Sequence, residues 1–130
     1  MPELQWDDLD FLECLETVPE VEEYGISSSY NVIRGGHRLL VTVWPYESVV
    51  HLTLWSEQVE SPLVELALFV RGAVGHIHDQ RGEYLEFPDC IVAPNRFWYL
   101  QAGDVFDHGR FAYGVTIQLS IKPGIRLRFV

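Results

Sequence analysis

The densest chemistry in this chain lies in Gly75-His76-Ile77-His78-Asp79-Gln80-Arg81-Gly82-Glu83. His76 and His78 are two residues apart, so on a β-strand both imidazoles leave the same face, about 6–7 Å apart at the backbone. Imidazoles so placed can chelate a transition metal, and Glu83, five residues further on, can add a carboxylate oxygen. The same residues also make a plain hairpin, Val74 to Asp79 and Glu83 to Phe87, turning through Gln80-Arg81-Gly82 with both histidines facing solvent. A metal site requires further groups that orient the imidazoles, and the neighbouring sequence does not reveal them. The hairpin is therefore the expected reading, and a metal set of His76, His78 and Glu83 is its alternative.

The spacing His-x-His-x4-Glu is similar to the first motif of the cupin superfamily. That resemblance implies a small β-barrel with a metal or small ligand held by His76, His78 and Glu83, and an enzyme among its outcomes. The sequence departs from the family on either side. The family's glycines fall on Val70 and Cys90, and His108 follows Gly103-Asp104 at the wrong distance for the second motif. Tyr113 and Gly114 stand where that motif's histidine belongs.

Other routes to catalysis are weaker still. No serine sits in a Gly-x-Ser-x-Gly elbow. Cys14 lies among carboxylates, which disfavour a thiolate nucleophile. Arg34-Gly35-Gly36 makes a turn and lacks the pattern of a phosphate-binding loop. No catalytic residue and no cofactor are assigned, and a non-enzymatic protein is expected over an enzyme.

Charge points more clearly. Met1 to Ile33 holds nine acidic residues (Glu3, Asp7, Asp8, Asp10, Glu13, Glu16, Glu20, Glu22, Glu23) and no Lys or Arg. The remaining 97 residues hold ten acidic against nine basic, within a chain of net charge −10. A field of one sign steers partners of the other, so a basic protein partner is expected, and nucleic acid and anionic membranes are disfavoured. Arg126 and Arg128 share one face of the last strand but cannot offset that field. Trp6 and Tyr24 flank the acidic run; aromatics amid carboxylates supply contact energy while charge sets the on-rate. The candidate partner-binding residues are Trp6, Asp7, Asp8, Asp10, Glu13, Glu16, Glu20, Glu22, Glu23 and Tyr24.

These groups need a scaffold, and hydrophobic periodicity supplies one. Leu9, Leu12 and Leu15 recur every third residue beside Phe11, which predicts an acidic amphipathic helix within residues 4–24. Asp7 or Asp8 is placed to cap its start, and Pro19 to end it or open a short turn. From about residue 30 the period becomes two. Leu39-Val41-Val43, Val50-Leu52-Leu54, Val64-Leu66-Leu68-Val70, Tyr113-Val115-Ile117-Leu119-Ile121 and Ile125-Leu127-Phe129 each line one face of a strand. Gly35-Gly36 and Pro123-Gly124 supply turns. The expected architecture is mainly β (α+β): an antiparallel sandwich or partly closed barrel of about eight or nine short strands with one N-terminal acidic helix. At 130 residues, 48% of them hydrophobic, a single domain spanning 1–130 with one core is expected. Cys14 and Cys90 are expected as reduced core thiols. The acidic, interrupted start and the lack of a long apolar run point to a cytoplasmic protein.

Val64-Glu65-Leu66-Ala67-Leu68-Phe69-Val70-Arg71-Gly72, Gly82-Glu83-Tyr84-Leu85-Glu86-Phe87 and the strand from Gly124 to Val130 resemble the small β-rich immunity proteins that bacteria encode beside polymorphic or contact-dependent toxins. The resemblance implies a cytoplasmic, non-enzymatic protein that binds one cognate toxin and blocks its active site. Exposed strand edges keep a third reading open, an oligomerising module such as a dimer.

Overall fold

The computed structural model describes residues 3–94 and 114–130. Among these, one α-helix, α1 (Asp8–Leu15), precedes nine strands, with short 3-10 turns at Glu23–Gly25 and Pro45–Glu47: β1 (Glu20–Val21), β2 (Ser28–Arg34), β3 (His37–Trp44), β4 (Val49–Ser56), β5 (Val64–Val70), β6 (Gly75–Asp79), β7 (Gly82–Pro94), β8 (Val115–Ser120) and β9 (Arg126–Phe129). All pair antiparallel in one sheet of order β1-β2-β3-β4-β5-β7-β8-β9, with β6 paired to β7. Local chemistry explains the order. Gly35 and Gly36, with φ of 58° and 78°, make the two-residue turn that sets Arg34 opposite His37. In the β6–β7 hairpin, Asp79 faces Gly82 across Gln80-Arg81, and the Asp79 carboxylate accepts the Arg81 N–H at 2.8 Å. The expected hairpin around the two histidines is thus present, but only His78 faces solvent as expected; α1 packs on the hairpin and covers His76.

β7 joins the two parts of the sheet. Its first residues pair with β6 and β8, and Cys90 to Pro94 pair with β5. Between them the ladder slips at Pro88-Asp89, where Asp89 has φ 53°. The Arg71 guanidinium pins this bulge by donating to the Asp89 carboxylate at 2.6 Å. The sheet then curls. Leu39 of β3 and Leu127 of β9 line one apolar cavity of about 70 Å³. In a flat sheet they would stand five strand spacings, about 24 Å, apart. The sheet remains unclosed, with β1 and β9 at the ends of its path. β1 has two residues and β9 carries Arg126 and Arg128, features that discourage edge-to-edge pairing.

One core fills the curl. Val41, Val50, Leu52, Leu68, Ile117 and Leu119 are buried there, as the two-residue periodicity predicts, and Tyr30, Leu85 and Phe87 join them. A smaller cluster of Val49, Ala67 and Phe69 lies apart from it, so β5 is buried on both faces near its end. Cys14 and Cys90 are buried free thiols, as expected. The strand residue expected at Tyr113 lies outside the described residues, as does His108.

The helix departs from expectation in two ways. It spans Asp8–Leu15 instead of most of 4–24, because Glu16 turns left-handed (φ 54°) and Pro19 bars continuation. Glu20–Val21 beyond it is the edge strand β1, so the sheet starts ten residues earlier than expected. The buried stripe is also different. Phe11, Cys14 and Leu15, spaced i, i+3 and i+4, face the core, while Leu9 (61% exposed) and Leu12 face outward. Asp7 caps the start, its carboxylate accepting the Leu9 N–H at 2.9 Å, a contact worth about 1 kcal/mol. Phe11 anchors the helix against Tyr30 (5.5 Å between ring centroids) and edge-on to Phe87 (5.9 Å).

Candidate functional site: a carboxylate–imidazole joint on an acidic face

The two candidate sites read from the sequence meet in space. α1 lies on β6 and β7, and this places Asp10 and Glu13, three residues apart on one helix face, above His76. His76 Nδ1 stands 3.5 Å from Asp10 Oδ1 and 3.8 Å from Glu13 Oε2. On the other side of the ring, His76 Nε2 lies 2.7 Å from Glu83 Oε2. His78 Nε2 meets that same oxygen at 2.8 Å, and the two imidazole centroids are 5.1 Å apart. The helix covers this joint unevenly. The side chains of His76 and Glu83 are 9% and 15% exposed, whereas His78 is 70% exposed.

Lys122, in the turn after β8, completes the cluster. Its ammonium stands 3.7 Å from Glu83 Oε1 and pairs directly with Glu16 Oε1, while Arg34 pairs with Glu16 Oε2. These contacts hold the Glu16 carboxyl below its ordinary range, chiefly through the Lys122 hydrogen bond, and raise the Lys122 ammonium above its own. Arg34 and Lys122 were not singled out from the sequence. Nothing local in it signals that the end of α1 lands between the end of β2 and the turn after β8.

The acidic run therefore divides by role. Asp7 caps α1, Asp10 and Glu13 face His76, and Glu16 is neutralised by two cations. Glu3, Asp8, Glu20, Glu22 and Glu23 make no ion pair with any described residue. The two flanking aromatics also part ways. Trp6 packs edge-on against Phe11 at 5.1 Å between centroids and belongs to the periphery of the core. Tyr24 is 86% exposed and stands clear of it. Leu9, Leu12, Val18 and Val21 add exposed apolar surface between the carboxylates, a feature the helical periodicity did not suggest. Such a surface can attract a cationic partner at long range and hold it by apolar contact.

The thiols nearby are chemically quiet. Burial pushes Cys14 up to about 12, with Glu83 adding to the rise, and burial does the same for Cys90. The opposite face of the hairpin differs in sign. Arg81, Arg126 and Arg128 line a small concavity with Tyr84, Gln118 and Ser120. There Tyr84 Oη donates to Asp79 at 2.7 Å, and Arg81 donates to Tyr84 Oη at 2.9 Å.

The fold has a counterpart among solved structures. It is that of a chain in a toxin–immunity complex. The match is to the contact-dependent growth inhibition toxin–immunity protein complex from Klebsiella pneumoniae 342, with TM-score 0.71 and 14% sequence identity. It covers 100% of this chain and 98% of that one. No protein-family model matches the sequence, and no curated protein matches it. No helix among the described residues is long and apolar enough to cross a membrane.

Proposed function

We infer that this chain is a cytoplasmic, non-enzymatic immunity-type protein. It captures a cognate basic toxin on the face formed by α1 and the adjoining β1 segment, and blocks the toxin by occupying its active surface. The observation that carries this reading is the make-up of that face. Asp8, Glu20, Glu22 and Glu23 have no ion-pair partner among the described residues and alternate along the chain with exposed Leu9, Leu12, Val18, Val21 and Tyr24. A surface built only for solubility intersperses both signs and avoids large exposed apolar side chains. Here one sign predominates and the apolar groups are outside. The full-length fold match to a chain of a toxin–immunity complex supports the same class of partner.

The carboxylates raise the encounter rate with a cationic surface, and the desolvated leucines, valines and tyrosine slow dissociation. Growth protection tests the reading. Co-expression of this chain with the toxin encoded beside it restores growth, and a variant carrying Asp8→Lys, Glu20→Lys, Glu22→Lys and Glu23→Lys does not. Growth arrest caused by this chain on its own, or protection untouched by the fourfold reversal, contradicts it.

A further inference from the structure

His76 has carboxylates on both sides of its ring. Its Nδ1 faces Asp10 at 3.5 Å and Glu13 at 3.8 Å. Its Nε2 points at a Glu83 oxygen 2.7 Å away. A contact of that length holds either a shared proton or a metal ion between nitrogen and oxygen. His78 aims its own Nε2 at the same oxygen from 2.8 Å. Two imidazole nitrogens and one carboxylate oxygen thus crowd together, and a single cation held among them can take all three as ligands.

We propose that His76 Nε2, His78 Nε2 and Glu83 Oε2 bind one divalent transition-metal ion of the zinc class. The set has the two-imidazole, one-carboxylate composition that suits zinc, and the donor atoms of the three residues all lie within 4.8 Å of one another. Tetrahedral coordination with bonds of about 2.0–2.1 Å needs donors about 3.3 Å apart. Loading the site therefore asks the Glu83 oxygen to draw back from each imidazole nitrogen by roughly half an ångström. Asp10 plays the positioning part: with Nε2 on the metal, the Nδ1–H left on the ring faces its carboxylate at 3.5 Å, the place carboxylates take behind metal-bound imidazoles. Lys122 neutralises the other oxygen, Glu83 Oε1, without blocking Oε2. The fourth position opens on the side of His78, the most exposed of the three.

This site stands apart from the toxin-binding reading, since it needs no partner to be measured. Its consequence is mechanical: an ion held by β6 and β7 fixes the imidazole on which Asp10 and Glu13 rest, and so steadies the acidic helix. The test is a zinc titration by isothermal calorimetry on metal-stripped protein that carries no histidine tag. The expected result is saturation at one zinc per chain. His78→Ala, a change at an exposed ring, abolishes that saturation while leaving the circular dichroism unchanged. Glu83→Gln does the same, and Asp10→Asn weakens zinc binding by about 10-fold or more. No saturable heat, or saturation that survives His78→Ala, overturns the site.

Discussion

Asp10 Oδ1 and His76 Nδ1 face each other at 3.5 Å across the seam between α1 and the β6–β7 hairpin. The contact joins the acidic segment to the only paired imidazoles of the described chain. Asp10, Glu13 and Glu16 meet cations or imidazoles there, while Asp8, Glu20, Glu22 and Glu23 make no ion pair with any described residue.

Cys14 and Cys90 should be inert while the protein is folded. Burial raises both thiols to about 12, so neither offers a thiolate near neutrality. An aromatic disulfide reagent should label neither thiol in the native protein and both in guanidinium chloride. Prompt labelling of either thiol in native buffer contradicts their placement in the core.

Stability should fall on the acid side before any carboxylate protonates. Burial beside Trp44 holds the His51 imidazole below its ordinary 6.5. As pH falls through that value the unfolded chain takes up the proton and the native chain does not, so unfolding gains ground. His51 thus contributes stability that is present above about pH 6.5 and lost as pH drops toward its lower native value. Glu16 and Asp79, both lowered by cations and hydrogen bonds, extend the decline below about 4.5. Urea midpoints should decrease from about pH 7 to about pH 5.5, and His51→Gln should flatten that slope. An unchanged slope in the variant excludes His51 as its source.

Gly114 should tolerate no side chain. A Cβ there would lie 2.8 Å from the Asp89 Cα and closer still to the carboxylate that Arg71 holds. Backbone at the β7 bulge cannot retreat as a flexible side chain can. Gly114→Ala should cost about 1–3 kcal/mol in urea denaturation. Wild-type stability in this variant shows that the bulge yields.

The sheet was readable because its signals are local. Alternation in Leu39–Val43, Val50–Leu54 and Ile117–Ile121 reports which face is buried, and Gly35-Gly36 sets a register by backbone geometry alone. The helix was misread where local pattern and packing compete. Leu9, Leu12 and Leu15 make a tidy three-residue repeat, yet Phe11 and Cys14 join Leu15 inside, because the aromatic fits between Tyr30 and Phe87. β1 escaped notice since two residues carry no period. The seam itself was invisible for a different reason. Asp10, Glu13 and Lys122 reach the His76–Glu83 pair only through tertiary packing, and no short-range pattern records which turn of a helix rests on which strand.

Under the proposed reading the unpaired carboxylates draw in a basic toxin over a distance, and that attraction is read from the association rate. Stopped-flow binding of the purified chain to a toxin it protects against should slow about 10-fold or more as salt rises from about 50 to 500 mM, where the Debye length shrinks to a few ångströms. Reversing Asp8, Glu20, Glu22 and Glu23 to lysine should produce a comparable loss at low salt with little added salt dependence. An association rate indifferent both to salt and to the four reversals contradicts the account.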